Sequence, residues 1–176
     1  MSRARPVSAP VSRETRGLRN AVALRDRTLA SSIGSPGDLA RPQSYRRMVR
    51  ELTGHYKISV RKWRTHMAGS AWELTYQDGR IKRLIAAPRP RGSVSAAIFL
   101  HEIGHHAVGF KRYPSRCLEE HYVWQWAFRE MEARGIRITR RVLMHFYRSM
   151  YHYLKRAARR GETIPPELAH FAKWPG

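Results

Sequence analysis

Ser93-Val94-Ser95-Ala96-Ala97-Ile98-Phe99-Leu100-His101-Glu102-Ile103-Gly104-His105 decides how this 176-residue chain is read. Its last five residues form an HExxH pattern. On a helix, residues four apart share a face, so His101 and His105 point the same way and can grip one metal ion. Glu102 follows the first histidine and can reach a water beside that ion. Two imidazoles, one carboxylate and a zinc ion are the minimal kit for metal-assisted hydrolysis. The lead-in supports a helix: Val94, Ala97, Ile98, His101 and His105 fall at helical spacing, so the ligand face continues a buried face. Ser93 or Ser95 is placed to cap the start, and Gly109 suits the end. Five-residue patterns also recur by chance on surface helices; the apolar lead-in and the glycine stop argue against that here.

A catalytic zinc site takes three protein ligands and leaves a fourth position to water. The stretch from Leu118 to about Ala133 reads as the next helix and has to supply the third ligand. Glu119, Glu120 and His121 compete. From Glu120 the helical face continues through Val123, Trp124, Ala127 and Met131. That stripe is wholly apolar, so it should face the HExxH helix and carry Glu120 with it. His121 leads to Trp124, Gln125 and Phe128, while Glu119 leads to Tyr122, Val123, Trp126 and Glu130. The resulting order is Glu120, then His121, then Glu119. An acidic first turn, favoured by the helix dipole, accounts for at least one of the glutamates without any metal.

On these residues the segment from Ile81 to Met131 resembles the ImmA/IrrE-type metallopeptidases, small gluzincins within the zincin group. The family pattern is a strand, a helical lead-in, HE-[ILV]-[GA]-H, then a helix opening on E-x-x-A with a later F-A. Here stand His101-Glu102-Ile103-Gly104-His105, then Glu120-His121-Tyr122-Val123, with Trp126-Ala127 at the later position. Val123 departs from the family's alanine, Trp124 from a usual polar residue, and the gap from His105 to Glu120 is short. The resemblance implies that His101, His105 and Glu120 hold Zn2+, that Glu102 is the catalytic base, and that the substrate is a protein or peptide. It implies a zincin-like fold, in which an extended peptide adds to a sheet edge beside the metal; the Ile81–Ala86 strand suits that role. A weaker resemblance is to the SprT-like proteases, which use HExxH with a third histidine, and His121 stands about where that histidine falls. The middle of the chain carries these resemblances; neither end does.

The expected chemistry is hydrolysis of a peptide bond. Glu102 takes a proton from water and returns it to the leaving amine. A neutral donor is needed for the developing oxyanion, and His106, Tyr113, Tyr122 and His152 are candidates. His106 directly follows His105 and so points off the ligand face, which reads as a supporting or solvent-exposed position.

The remaining scaffold predicts an α+β plan: a small antiparallel sheet packed on the HExxH helix and the helices after it. Tyr45, Met48, Val49 and Leu52 form a helical stripe in the segment from Pro42 to Leu52. Tyr56–Val60 alternates as a strand. Ala71–Tyr76 and Ile81–Ala86 flank Gln77-Asp78-Gly79-Arg80, a strong hairpin signal, and Pro88 and Pro90 end the second strand. The expected division is a basic, disordered arm over residues 1–41, a zincin-like metallopeptidase domain over 42–160, and a short helical tail over 161–176. Within the arm, Gly17 to Leu29 has the pattern of a transient helix.

Charge is the second informative feature. Lysine and arginine number 34 against 13 acidic residues, a net charge of +21. From Arg134 to Arg160 there are nine basic residues and no acidic one. Arg141, His145, Arg148, His152, Lys155 and Arg159 step by three or four, which draws one basic stripe along a helix whose other face is apolar. A one-sided stripe of this kind fits a phosphate backbone, and a solvated basic face is the plainer reading. Arg141, Arg148, Lys155 and Arg159 are therefore candidate nucleic-acid contacts, the arm adding to them; ribosomal RNA and an acidic protein are the other partners this charge suits. With no zinc finger, Gly-rich phosphate loop or RNA-recognition aromatic motif, such binding would be driven by the backbone. A basic nucleic-acid-binding protein with a structural or idle zinc site is thus the alternative to a peptidase. One cysteine, Cys117, forbids an intrachain disulfide and suits a reducing, cytoplasmic setting. Cys117 reads as a buried apolar thiol rather than a zinc-blocking switch. No membrane span or secretory signal is expected.

Overall fold

The computed structural model describes residues 42–173. The basic arm, with its Gly17–Leu29 segment, and Trp174 fall outside the described residues. The first helix, α1 (Pro42–His55), buries Tyr45, Met48 and Leu52 along one face, as its periodicity predicts. Three strands follow: β1 (Ile58–Arg64), β2 (Ser70–Thr75) and β3 (Ile81–Pro88). The Asp-Gly signal is realised. β2 and β3 pair antiparallel with Thr75 opposite Ile81, and the Tyr76 amide donates to the Arg80 carbonyl at 2.9 Å.

The sheet differs from the antiparallel expectation in two ways. β1 runs parallel to β3, so the sheet is mixed, and its order is β1-β3-β2. The Ile81–Ala86 segment, expected to be a free edge, is therefore the central strand and has no edge to offer. Its composition explains the placement. Leu84, Ile85, Ala86 and Ala87 are buried in succession, the continuous apolar run of a strand covered on both faces. The outer strands are more polar; Glu73, Leu74 and Thr75 of β2 are exposed.

Helix α2 (Ser93–Val108) carries the HExxH residues and is buried without interruption from Ser95 to His106. It is a central helix, buried nearly all round. Gly92 takes the capping position. The Ser95 hydroxyl, one turn in, accepts the amides of Arg91 at 2.9 Å and Gly92 at 3.1 Å. The Gly109 amide closes the far end on the His105 carbonyl at 3.1 Å. Helix α3 (Arg116–Ala133) is capped by Ser115, whose hydroxyl accepts the Leu118 amide at 3.2 Å, and α4 (Arg140–Arg159) by Thr139. The tail is a 3₁₀ helix, Pro166–Lys173, that buries Leu168 and Phe171, the latter edge-on to Phe146 of α4 at 5.1 Å. The α+β architecture stands. No described helix is long and apolar enough to cross a membrane.

Candidate metal centre

Gly104, inside the HExxH pattern, sets the spacing of the two site helices. A Cβ there would lie 3.0 Å from the Trp126 ring, 3.1 Å from Val123 Cγ1 and 3.3 Å from the Val123 carbonyl. Lacking one, α2 meets α3 backbone to backbone, and Glu120 is brought onto the histidines. His101 Nε2 lies 3.1 Å from Glu120 Oε2, and His105 Nε2 lies 3.6 Å from Oε1. One donor atom from each of the three residues falls within 4.8 Å of the others.

All three are buried. The Glu120 oxygens have cationic groups at close range, Arg116 Nη2 at 2.7 Å and His101 Nε2 at 3.1 Å, but none in full hydrogen-bond geometry, and Nδ1 of His101 and of His105 has no partner within hydrogen-bond reach. A buried carboxylate without hydrogen bonds is costly unless cations surround it, and two nitrogens with an oxygen suit a divalent ion. The residues therefore fit a metal ion. Burial alone would raise the Glu120 pKa, but His101, His105 and Arg116 outweigh it and hold the carboxyl at about 2.

The competing ligand candidates lie elsewhere. His121 packs its ring against Phe146 and Phe171, with centroids at 6.4 and 5.9 Å. Burial, followed by the charge of His170, lowers its pKa to about 4. Glu119 stands behind His105 rather than on the metal side: its Oε1 lies 3.7 Å from His105 Nδ1, and its Oε2 accepts the Lys111 amide at 2.7 Å. A carboxylate behind a ligating histidine fixes the orientation of the ring. Burial opposes ionisation of Glu119, yet His105, Arg116 and the Lys111 amide keep its pKa below the usual range.

Two site residues escaped the sequence reading. The Arg116 guanidinium pairs with Glu119 and lies 2.7 Å from Glu120 Oε1. Its i,i+4 spacing from Glu120 was the available signal. Tyr153 of α4 lies against Glu120 and Arg116; burial first, then the Glu120 charge, keeps its phenol protonated. His106 is not solvent-exposed. It is buried, and Nε2 lies 3.1 Å from the Leu84 carbonyl of β3, so it ties the helix to the sheet and is not free to serve an oxyanion. Tyr113 and Tyr122 stack on each other at 4.4 Å. Cys117 is buried, which raises its pKa.

Glu102 is buried beneath the backbone that leads into β2. A Cβ on Gly69 would fall 2.3 Å from Glu102 Oε1 and 2.5 Å from its Cγ, so only glycine lets the chain pass over this carboxylate. Burial, only partly offset by His105, pushes the Glu102 pKa up to about 8. A dication beside it would draw it back toward the ionised form.

On α4, Arg141, Arg148, Lys155 and Arg159 are exposed along one face, in the expected register. His145 departs from that stripe. It is half-buried, its pKa lowered by burial and then by His101. The Trp124 ring touches both histidines, at 4.4 Å from His101 and 5.9 Å from His145. Compared with known proteins, the chain matches no family model, no curated protein and no solved structure.

Proposed function

We propose that this chain is a zinc-dependent metallopeptidase that cleaves a specific protein substrate. The convergence of His101, His105 and Glu120 around one point carries the reading, and the family resemblance of the motif supplies the reaction. A bound zinc ion supplies an acidified water and polarises the scissile carbonyl. His101, His105 and Glu120 hold the ion, with Glu119 steadying His105. Glu102, next in sequence to the first ligand, accepts the proton of the attacking water and passes it to the leaving amine. Tyr153, protonated and engaged with Glu120 and Arg116, helps to hold the third ligand in place. The substrate strand, expected along β3, passes to β2. That strand has one unpaired side among the described residues and begins next to the Gly69–Glu102 contact.

Metal content and cleavage test this together. Wild type should carry about one zinc per chain, a loss in Glu120→Ala and no loss in His121→Ala, by mass spectrometry. Zinc-loaded wild type should cleave members of a proteome-derived peptide library, and Glu102→Gln should keep the metal and lose the cleavage. A second reading, a structural or idle zinc site in a nucleic-acid-binding protein, is favoured by the depth at which Glu102 is buried. It predicts zinc in both proteins and cleavage in neither.

A further inference from the structure

A cleft of about 1000 Å³ lies between the start of α2, the loop after β1 and one wall of α4. Arg91, Arg141 and Arg148 line it, and no aspartate or glutamate does. Among the described residues none of these three guanidiniums pairs with a carboxylate, although each is exposed. The same walls carry apolar surface. Met67 and Met144 are 51% and 47% exposed, large values for apolar side chains. Tyr151 presents its ring to the Lys155 ammonium at 5.5 Å. Past the cleft the positive stripe continues through Lys155 to Arg159, and from Arg141 to Arg159 it extends about 27 Å along the helix.

We infer that this cleft and stripe bind a single-stranded nucleic acid. The length of the stripe argues for a partner with a negative charge on every unit, since an isolated acidic side chain would satisfy only one or two of these cations. The mixture of arginines with a tyrosine and two methionines argues for a strand whose bases are unpaired. Bases of a single strand can lie on such surfaces, whereas a duplex keeps them stacked inside. Charge also favours the assignment: cations gathered on one wall repel each other until a polyanion lies on them. Binding of this kind needs no metal and does not rest on the peptidase reading.

Fluorescence anisotropy on the full chain tests it, with labelled twenty-nucleotide oligothymidylate and oligouridylate, a duplex of equal length, and an oligoglutamate peptide. The expected result is tight binding of a single strand that weakens steeply with salt. Removing three phosphate contacts in Arg91→Ala/Arg141→Ala/Arg148→Ala should make the log K against log salt slope shallower by about 2. The control Arg46→Ala/Arg47→Ala/Arg50→Ala removes the same charge from the exposed face of α1 and should leave the slope near that of wild type. Tyr151→Ala should weaken strand binding at least fivefold with the slope unchanged, the signature of lost stacking. All the arginines in these variants are exposed, so circular dichroism should report an unaltered fold. Preference for the deoxy or the ribose strand names the natural ligand, and either result supports the inference. Equal loss in the cleft and control variants overturns it. Tighter binding of the duplex overturns it as well, and oligoglutamate bound as tightly as the strands assigns the surface to an acidic protein instead.

Discussion

Gly69 passes over Glu102 with no room for a side chain, and the contact can be tested one atom at a time. Gly69→Ala adds a methyl group where the Glu102 carboxylate and Cγ already stand. The glutamate is too buried to swing aside without disturbing its neighbours, so either it or the strand entry must move. Displacing a catalytic group by about 1 Å costs on the order of a hundredfold in rate. The expected outcome is a kcat/KM at least tenfold lower with zinc content intact, read from peptide cleavage beside mass spectrometry. Unchanged cleavage would mean that the strand entry gives way and Glu102 keeps its place. At this scale the sequence was partly legible. His101, Glu102 and His105 are adjacent in one helix, where spacing alone dictates orientation. Glu120 was recoverable because the apolar stripe it starts is uniform. Gly69 and Tyr153 belong to other elements, and no local pattern says that a strand entry will cover Glu102 or that a tyrosine of α4 will meet Glu120.

The contact between α2 and α3 is the element on which the centre depends. Gly104 lets the helices approach, and the approach sets the distance from His105 to Glu120. Gly104→Val adds three carbons against the Trp126 ring and the Val123 carbonyl. Overpacking of this kind costs about 1–3 kcal/mol, with the helices pushed apart. Urea denaturation should show that loss, and zinc per chain should fall although no ligand was changed. Full zinc occupancy would show that the centre tolerates a wider helix spacing. The helices themselves were readable from their caps and periodicity. The sheet was readable only where it is local. The Asp78-Gly79 turn writes the β2–β3 hairpin into the sequence, while the parallel pairing of β1 with β3 joins segments that no turn connects. The run Leu84-Ile85-Ala86-Ala87 was the one sign that β3 lies at the centre, since an edge strand with one face in water alternates. His106 takes the supporting of its two expected positions, but its partner was not legible for the same reason: the Leu84 carbonyl lies in a strand whose position the local pattern does not state.

At the scale of the whole molecule, a net charge of +21 and a buried centre with orphaned donors act on stability in ways that can be separated. Repulsion among surface cations is screened by salt, the Debye length falling from about 10 Å at 0.1 M to about 3 Å at 1 M. Sodium chloride should therefore raise the melting temperature of wild type and of a His101→Ala/His105→Ala variant alike. An ion taken up by the His101-His105-Glu120 cluster would act differently, binding the folded chain and finding no preformed site in the unfolded one. Free zinc at a hundred times its dissociation constant stabilises the fold by about 2.7 kcal/mol, which for a domain of this size is a rise of about 5–10 °C. Thermal unfolding of wild type should show that rise with zinc over EDTA, and the double histidine variant should show none. Without the ion, the Glu120 carboxylate is left with Arg116 as its nearest permanent cation, so the EDTA form should be the less stable state rather than an unfolded one. Equal melting temperatures in zinc and EDTA, with zinc bound at one per chain, would mean that Arg116 alone compensates the buried carboxylate and that the ion adds chemistry without adding stability.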